Sequence, residues 1–204
     1  MLALSPMNPV IRPSPCALVC HPRTPSRVVR TLDVAACGTA CSGLTLTFAL
    51  EGDLSGMCIP ESRPPRRVDG LWRHTCFEAF VMAGKGPGYH EFNFSPSGEW
   101  AATAFTGYRD GGLPASAPAP GIVVRRRGER LELEAQMRAG CLPPGRSLRL
   151  GLSAVVEESD AGLTYWALRH PAGPPDFHHA DAFVLPLELP ASPEVDTLTA
   201  GVGP

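Results

Sequence analysis

Leu71-Trp72-Arg73-His74-Thr75-Cys76-Phe77-Glu78-Ala79-Phe80-Val81-Met82 runs through Ala83-Gly84-Lys85-Gly86-Pro87-Gly88 into Tyr89-His90-Glu91-Phe92-Asn93-Phe94-Ser95. Two aromatic-rich arms flank a glycine-rich turn, which is the signature of a β-hairpin. On the first arm, alternation puts Trp72, His74, Cys76, Glu78 and Phe80 on one face and Arg73, Thr75, Phe77, Ala79 and Val81 on the other. On the second arm, Tyr89, Glu91 and Asn93 oppose His90, Phe92 and Phe94. Every one of these faces mixes polar and apolar residues, so neither side of the hairpin is plainly solvent. The tight turn Ser95-Pro96-Ser97-Gly98 then leads into a third strand over 99–105.

The rest of the chain has the same character. Its 21 glycines and 23 prolines punctuate short apolar runs. No stretch keeps an i, i+3, i+4, i+7 stripe for more than about two turns of helix. Strands are expected over 16–20, 28–36, 44–50, 73–82, 89–95, 99–105, 122–127, 131–137, 148–157, 163–168 and 182–187. Loops are expected over 54–69 and 110–120. The fold class is all-β, a two-sheet antiparallel β-sandwich or jelly roll of about ten strands joined by hairpins. Residues 15–189 form the sandwich, behind a proline-rich arm over 1–14 and ahead of a flexible tail over 190–204.

Composition narrows the function. The chain has 204 residues, enough for one sizeable domain, and 44% of them are hydrophobic. With 18 basic against 20 acidic residues, and Arg125-Arg126-Arg127 as the one basic run, no nucleic-acid surface is expected. No membrane span is expected either, for want of 18 consecutive apolar residues. The first thirty residues lack an apolar export segment, so a cytoplasmic protein follows, with its seven cysteines as free thiols. Cys16 and Cys20, like Cys37 and Cys41, are spaced too loosely for a confident metal site, and none is assigned.

Thirteen of the fourteen aromatic residues and five of the six histidines fall within 72–110 and 165–183. Core packing alone would spread them along the strands. Their concentration points to one ligand site built from two distant segments. The candidates are Trp72, His74, Glu78, Glu91, Asn93, Trp100, Tyr108, Arg109, Trp166, Arg169, His170, Asp176 and His178. Trp72 and Trp166 are expected near the opening, with Glu91, Arg169 and Asp176 reaching inward. Aromatic faces suit the apolar side of a sugar ring, and the polar groups suit its hydroxyls.

Alternatives stand beside this reading. Glu78 and Glu91 could pair with Arg73, Arg109 or Arg169 and need no ligand. Two carboxylates on adjacent strands could also cleave a glycoside. No serine elbow, phosphate loop or H-E-x-x-H helix supports catalysis, so no enzyme is expected. His170, His178 and His179 with Asp176 and Asp181 read as a metal cluster or as a stiff hydrogen-bonded loop. A histidine with Met57 or Met82 could hold haem iron non-covalently.

The runs Leu71-Trp72-Arg73-His74-Thr75-Cys76-Phe77-Glu78-Ala79-Phe80 and Tyr89-His90-Glu91-Phe92-Asn93-Phe94-Ser95-Pro96-Ser97-Gly98-Glu99-Trp100 resemble the bacterial DOMON-like proteins, whose superfamily includes the family 9 carbohydrate-binding modules. Tyr165-Trp166-Ala167-Leu168-Arg169-His170-Pro171, with Pro175-Asp176-Phe177-His178, resembles one subgroup more closely. That subgroup occurs near, or fused to, the reductase of UDP-N-acetylenolpyruvoylglucosamine. The resemblance spans about residues 15–188. It implies a sandwich with one pocket, which holds a sugar in some members and haem in others. The expected function is non-catalytic binding of a small ligand, a carbohydrate or sugar nucleotide first. Haem binding is second, and a protein-interaction module without a small ligand is third.

Overall fold

The structure is a computed structural model that describes residues 14–39, 43–160 and 162–190. The expected arm over 1–14 and tail over 190–204 fall almost wholly outside these residues, as does Cys41. Among the described residues, thirteen strands form two antiparallel sheets. The smaller sheet orders β1 (Cys16–Ala17), β3 (Val29–Thr39), β4 (Gly43–Gly52), β10 (Arg130–Met137) and β9 (Gly121–Arg127). The larger runs β2 (Val19–Cys20), β12 (Gly162–Ala167), β11 (Ser147–Glu158), β5 (Cys76–Ala83), β6 (Tyr89–Phe94), β7 (Trp100–Phe105) and β8 (Leu113–Pro114), with β13 (Leu185–Glu188) paired to one end of β11.

The strands outnumber the eleven expected runs because the run over 16–20 divides and β8 forms within the loop expected over 110–120, and other boundaries shift for local reasons. The run over 16–20 splits at buried Leu18, so β1 joins the small sheet and β2 the large one. The segment over 182–187 begins as a helical turn, Ala180–Ala182, and becomes a strand only at Leu185. The strand expected from residue 73 starts at Cys76. Gly70, in the left-handed region at φ 77°, turns the chain into a short helical turn over Leu71–Arg73.

Alternation fixes what lies between the sheets. From the small sheet come Leu32, Val34, Leu44, Leu46, Phe48, Leu50, Leu131 and Leu133. From the large sheet come Phe77, Ala79, Val81, Phe92, Phe94, Leu150 and Leu152. Phe48 and Phe77 meet across the gap at 5.0 Å. Burying each such side chain is worth about 1.5–3 kcal/mol, so this layer dominates stability.

The outer face of the large sheet is also covered. Residues 169–183 return across it and pack Phe177 and Phe183 on Phe80, Met82, Tyr89 and Val155. Gly151 allows this approach, because a Cβ there would come within 3.2 Å of the Ala182 carbonyl oxygen. Beside that loop the sheet stays open, and the candidate site lies there. Among the described residues no helix is long and apolar enough to cross a membrane, and the six cysteines they include are free.

Trp166 pairs with Ala154 on β11 and points between the sheets, and its Nε1 donates to Thr164 Oγ1 at 3.1 Å. Trp166→Ala is expected to cost about 3–5 kcal/mol in urea unfolding. A loss below about 1 kcal/mol would contradict its placement in the core.

Candidate ligand cleft

The cleft, of about 400 Å³, is floored by Glu78, Phe80, Glu91 and Val155 of the large sheet. Its walls are Trp72, Tyr165, Phe177, Pro174 and Pro175, with Arg23, Thr24, Arg109 and His178 completing the lining. Strand register brings the floor together. Phe80 lies opposite Glu91, and Glu78 lies between Asn93 and Ser153. Val155 and Tyr165 extend the same face through β11 and β12.

A chain of hydrogen bonds orients the floor. The Cys76 thiol donates to Asn93 Oδ1 at 3.5 Å, and Asn93 Nδ2 donates to Glu91 Oε1 at 2.8 Å. Burial pushes the Glu91 carboxyl above its usual range, against the opposing pull of Asn93 and Arg109. Glu78 is more extreme. It is 2% exposed, and burial together with the charge of Glu91 drives its carboxyl well above the ordinary range. The Ser153 hydroxyl lies near enough to oppose that shift but makes no aligned hydrogen bond. Glu78 Oε1 and Ser153 Oγ are both buried without a partner. Glu78 therefore favours its neutral form.

The opposite wall is held by ions. Tyr108 Oη and Arg109 Nη2 donate to Asp176 at 2.8 and 3.0 Å, and the His178 amide donates to the same carboxylate at 3.2 Å. Burial raises the Asp176 carboxyl, but the bonds from Tyr108 and Arg109 outweigh it and hold it low. Arg109 has φ 53°, a left-handed conformation that costs roughly 1–2 kcal/mol in a residue with a Cβ. Its amide donates to Tyr89 Oη at 3.2 Å, and Tyr89 Oη lies 2.8 Å from His178 Nδ1. The phenol proton is then assigned to the bond with Nδ1, leaving the imidazole proton on Nε2. Burial, reinforced by Arg109, lowers the His178 pKa to about 4, so the ring is neutral at pH 7.

Of the thirteen candidates, Trp72, Glu78, Glu91, Arg109 and His178 line the cleft. Asn93 and Asp176 bind the lining residues Glu91 and Arg109, and Tyr108 donates to Asp176. The others lie elsewhere. Trp166 is a correction: it is not at the opening, because alternation turns its neighbour Tyr165 outward and sends Trp166 inward. Trp100 is likewise a core residue, with the Arg67 guanidinium 5.6 Å over its ring. His74 pairs with Glu157 at 2.8 Å in a separate hollow. Arg169 is exposed and is not among the lining residues. His170 sits behind Phe177, its Nε2 2.8 Å from the Val19 carbonyl oxygen.

Sequence reasoning missed Tyr165, Phe80 and Phe177, although alternation from Glu78 predicts Phe80 on its face. Arg23 and Thr24 carried no local signal, since only the pairing of β2 with β12 brings them close. The expected salt-bridge explanation also fails. Among the described residues neither Glu78 nor Glu91 has an ion-pair partner, and Arg109 pairs with Asp176. Nor do the donors fit His/Met-ligated haem. Met57 lies in the core between the sheets, and the Met82 sulfur accepts from Arg149. The described residues hold no cluster of three or more potential metal ligands.

No family model and no curated protein matches the chain. Solved structures do. A proposed carbohydrate-binding protein from Bacteroides uniformis is similar with a TM-score of 0.63 and 13% identity, over 86% of this chain and 85% of that one. A family 9 carbohydrate-binding module from Caldicellulosiruptor kristjanssonii, in complex with cellotriose, is similar with a TM-score of 0.52 and 7% identity, over 94% and 88% of the two chains. At these identities the likeness establishes a shared sandwich fold.

The Glu78 environment has a consequence for pH. A carboxyl raised on folding gives its full contribution below its unfolded value of about 4.3, and loses it as pH rises toward the folded value. Glu78→Gln removes that loss, so its stability relative to the natural protein is expected to improve from pH 4 to pH 7. Urea unfolding at several pH values reads the difference. A difference independent of pH would contradict a raised Glu78.

Proposed function

We propose that this protein is a non-catalytic carbohydrate-binding domain whose ligand lies in the outer-face cleft. The observation that carries this reading is the incompleteness of the cleft. The buried side-chain atoms without a hydrogen-bond partner among the described residues are Thr24 Oγ1, Glu78 Oε1, Ser153 Oγ and His170 Nδ1. Thr24 and Glu78 line the cleft, Ser153 faces Glu78, and His170 backs Phe177. Unpaired buried polar groups are costly, and here they gather at one place beside aromatic walls.

A saccharide suits both halves of that surface. Trp72 is 49% exposed and Tyr165 half-buried, and both present rings at the lining. Glu91, Arg109, His178 and Thr24 supply donors and acceptors for hydroxyls. A cleft of about 400 Å³ lies within the usual range for small-ligand sites. The resemblance to DOMON-like proteins and the shared fold with a module bound to cellotriose support the same reading. A sugar nucleotide is disfavoured, because Asp176 already neutralises Arg109 and only exposed Arg23 of the lining is left for its phosphates.

Non-catalytic binding follows from the floor. Glu78 is sealed beneath the cleft at 2% exposure, and its neighbour Glu91 is bonded to Asn93.

Titration with cellotriose, its 2-amino counterpart the glucosamine trimer, and the N-acetylated trimer, followed by tryptophan fluorescence, tests this. At least one is expected to bind saturably, and Trp72→Ala to weaken it by about 1–3 kcal/mol on the scale of aromatic stacking. Trp72→Ala should leave unfolding within about 1 kcal/mol of the natural protein. Absence of binding across the panel, or steady release of reducing sugar, would overturn the proposal.

A further inference from the structure

We infer that the cleft selects a saccharide bearing a positively charged amino group, docked against Glu78 and Glu91 within the aromatic walls. This deepens the carbohydrate reading and rests on it. The inference starts from a comparison among the buried glutamates. Glu158 accepts from the Ser26 hydroxyl and the Arg27 amide. Glu99 accepts from Arg66 at 2.7 Å and from Ser97 at 3.1 Å. Glu91 accepts from Asn93. Glu78 alone has a sealed oxygen with no partner among the described residues.

Arg109 is the one cation among the groups around Glu78, and Arg23 lines the cleft as an exposed residue. The groups around Glu78 are Ser153 on β11, Asn93 and Glu91 on β6, Cys76 on its own strand, and Arg109 and His178 from the covering segments. Arg109 is a cation, burial raises the Glu91 carboxyl, and His178 is neutral at pH 7. Arg109 is committed to Asp176 at 3.0 Å. Three carboxyl groups, those of Glu78, Glu91 and Asp176, thus surround one guanidinium. A second cation is missing from the floor.

An ammonium group supplies it with three donors on one compact centre. The aromatic lining suits the same group, since Trp72, Tyr165 and Phe177 stand beside the acids and the Trp72 ring already holds one cation, the Arg73 guanidinium at 5.2 Å. A uronic acid or a phosphosugar would bring a further anion to a floor that holds two carboxyl groups and no cation. As the ammonium docks, the Glu78 carboxyl gives its proton to solvent and becomes a carboxylate. The ligand keeps its own protons, and the net change is release of one proton.

Calorimetry at pH 6 with the glucosamine trimer, cellotriose and n-butylammonium as probes tests the inference. The glucosamine trimer is expected to bind about tenfold or more tightly than cellotriose. Repetition in buffers of different ionisation enthalpy should show proton release. Glu78→Gln should abolish that release and most of the preference for the amino sugar. Glu91→Gln should lower the preference further. Cellotriose binding as tightly as the amino sugar would overturn the ammonium inference and leave the carbohydrate reading standing. n-Butylammonium matching the amino sugar would uphold the cation site and overturn the carbohydrate reading. A preference intact in Glu78→Gln would overturn the role given to Glu78, and no binding by any probe would overturn both readings.

Discussion

Strand β5 is buried on both faces, and the other parts of the structure arrange themselves around that constraint. Phe77, Ala79 and Val81 face the small sheet, while Cys76, Glu78, Phe80 and Met82 face outward. An outward face containing Phe80 and Met82 must be covered, and residues 169–183 cover it with Phe177 and Phe183. Glu78 lies on the same face, so covering the apolar residues also removes a carboxyl from water. The cleft is the part of that face which the loop leaves open. Its chemistry follows from a sheet forced to bury an acid beside its aromatics.

The walls show how remote segments serve one site. Arg109, strained into the left-handed region, is held by Asp176 from the covering loop and by Tyr89 from β6. Leu71, buried with Cys76 and Ala101, anchors the turn that puts Trp72 at the rim. Arg109 and Trp72 are thus positioned by contacts made behind the cleft. This is the preorganisation that reduces the entropy lost when a ligand binds. The polar arrangement is less complete than the packing, because Glu78 keeps an unpartnered oxygen while Glu91, Glu99 and Glu158 accept hydrogen bonds.

Much of the sandwich was legible in the sequence. The hairpin over 71–95 and the glycine and proline punctuation identify the strands to within a few residues. The exceptions mark where local pattern loses to tertiary context. Leu18 splits one apparent strand between two sheets, and Gly70 delays the start of β5. The site was legible in outline, because the two aromatic windows do meet. Its membership was not. Placing Trp166 at the opening required knowing which face of β12 is inner, and a short strand with aromatics on both faces does not reveal that. His74 looked equivalent to Glu78 by alternation, yet it precedes the strand and turns away to Glu157.

The central claim is that Glu78 is a buried acid whose partner comes from a ligand. Its protonation can be read directly by NMR, following the 13C shift of the Glu78 side-chain carboxyl against pH in selectively labelled protein, with Glu78→Gln assigning the resonance. A carboxyl titrating well above the ordinary glutamate range in the free protein, and at lower pH on saturation with the glucosamine trimer, is the expected result. Titration in the ordinary range near 4.3 would contradict the account, because Glu78 would then be solvated or already paired.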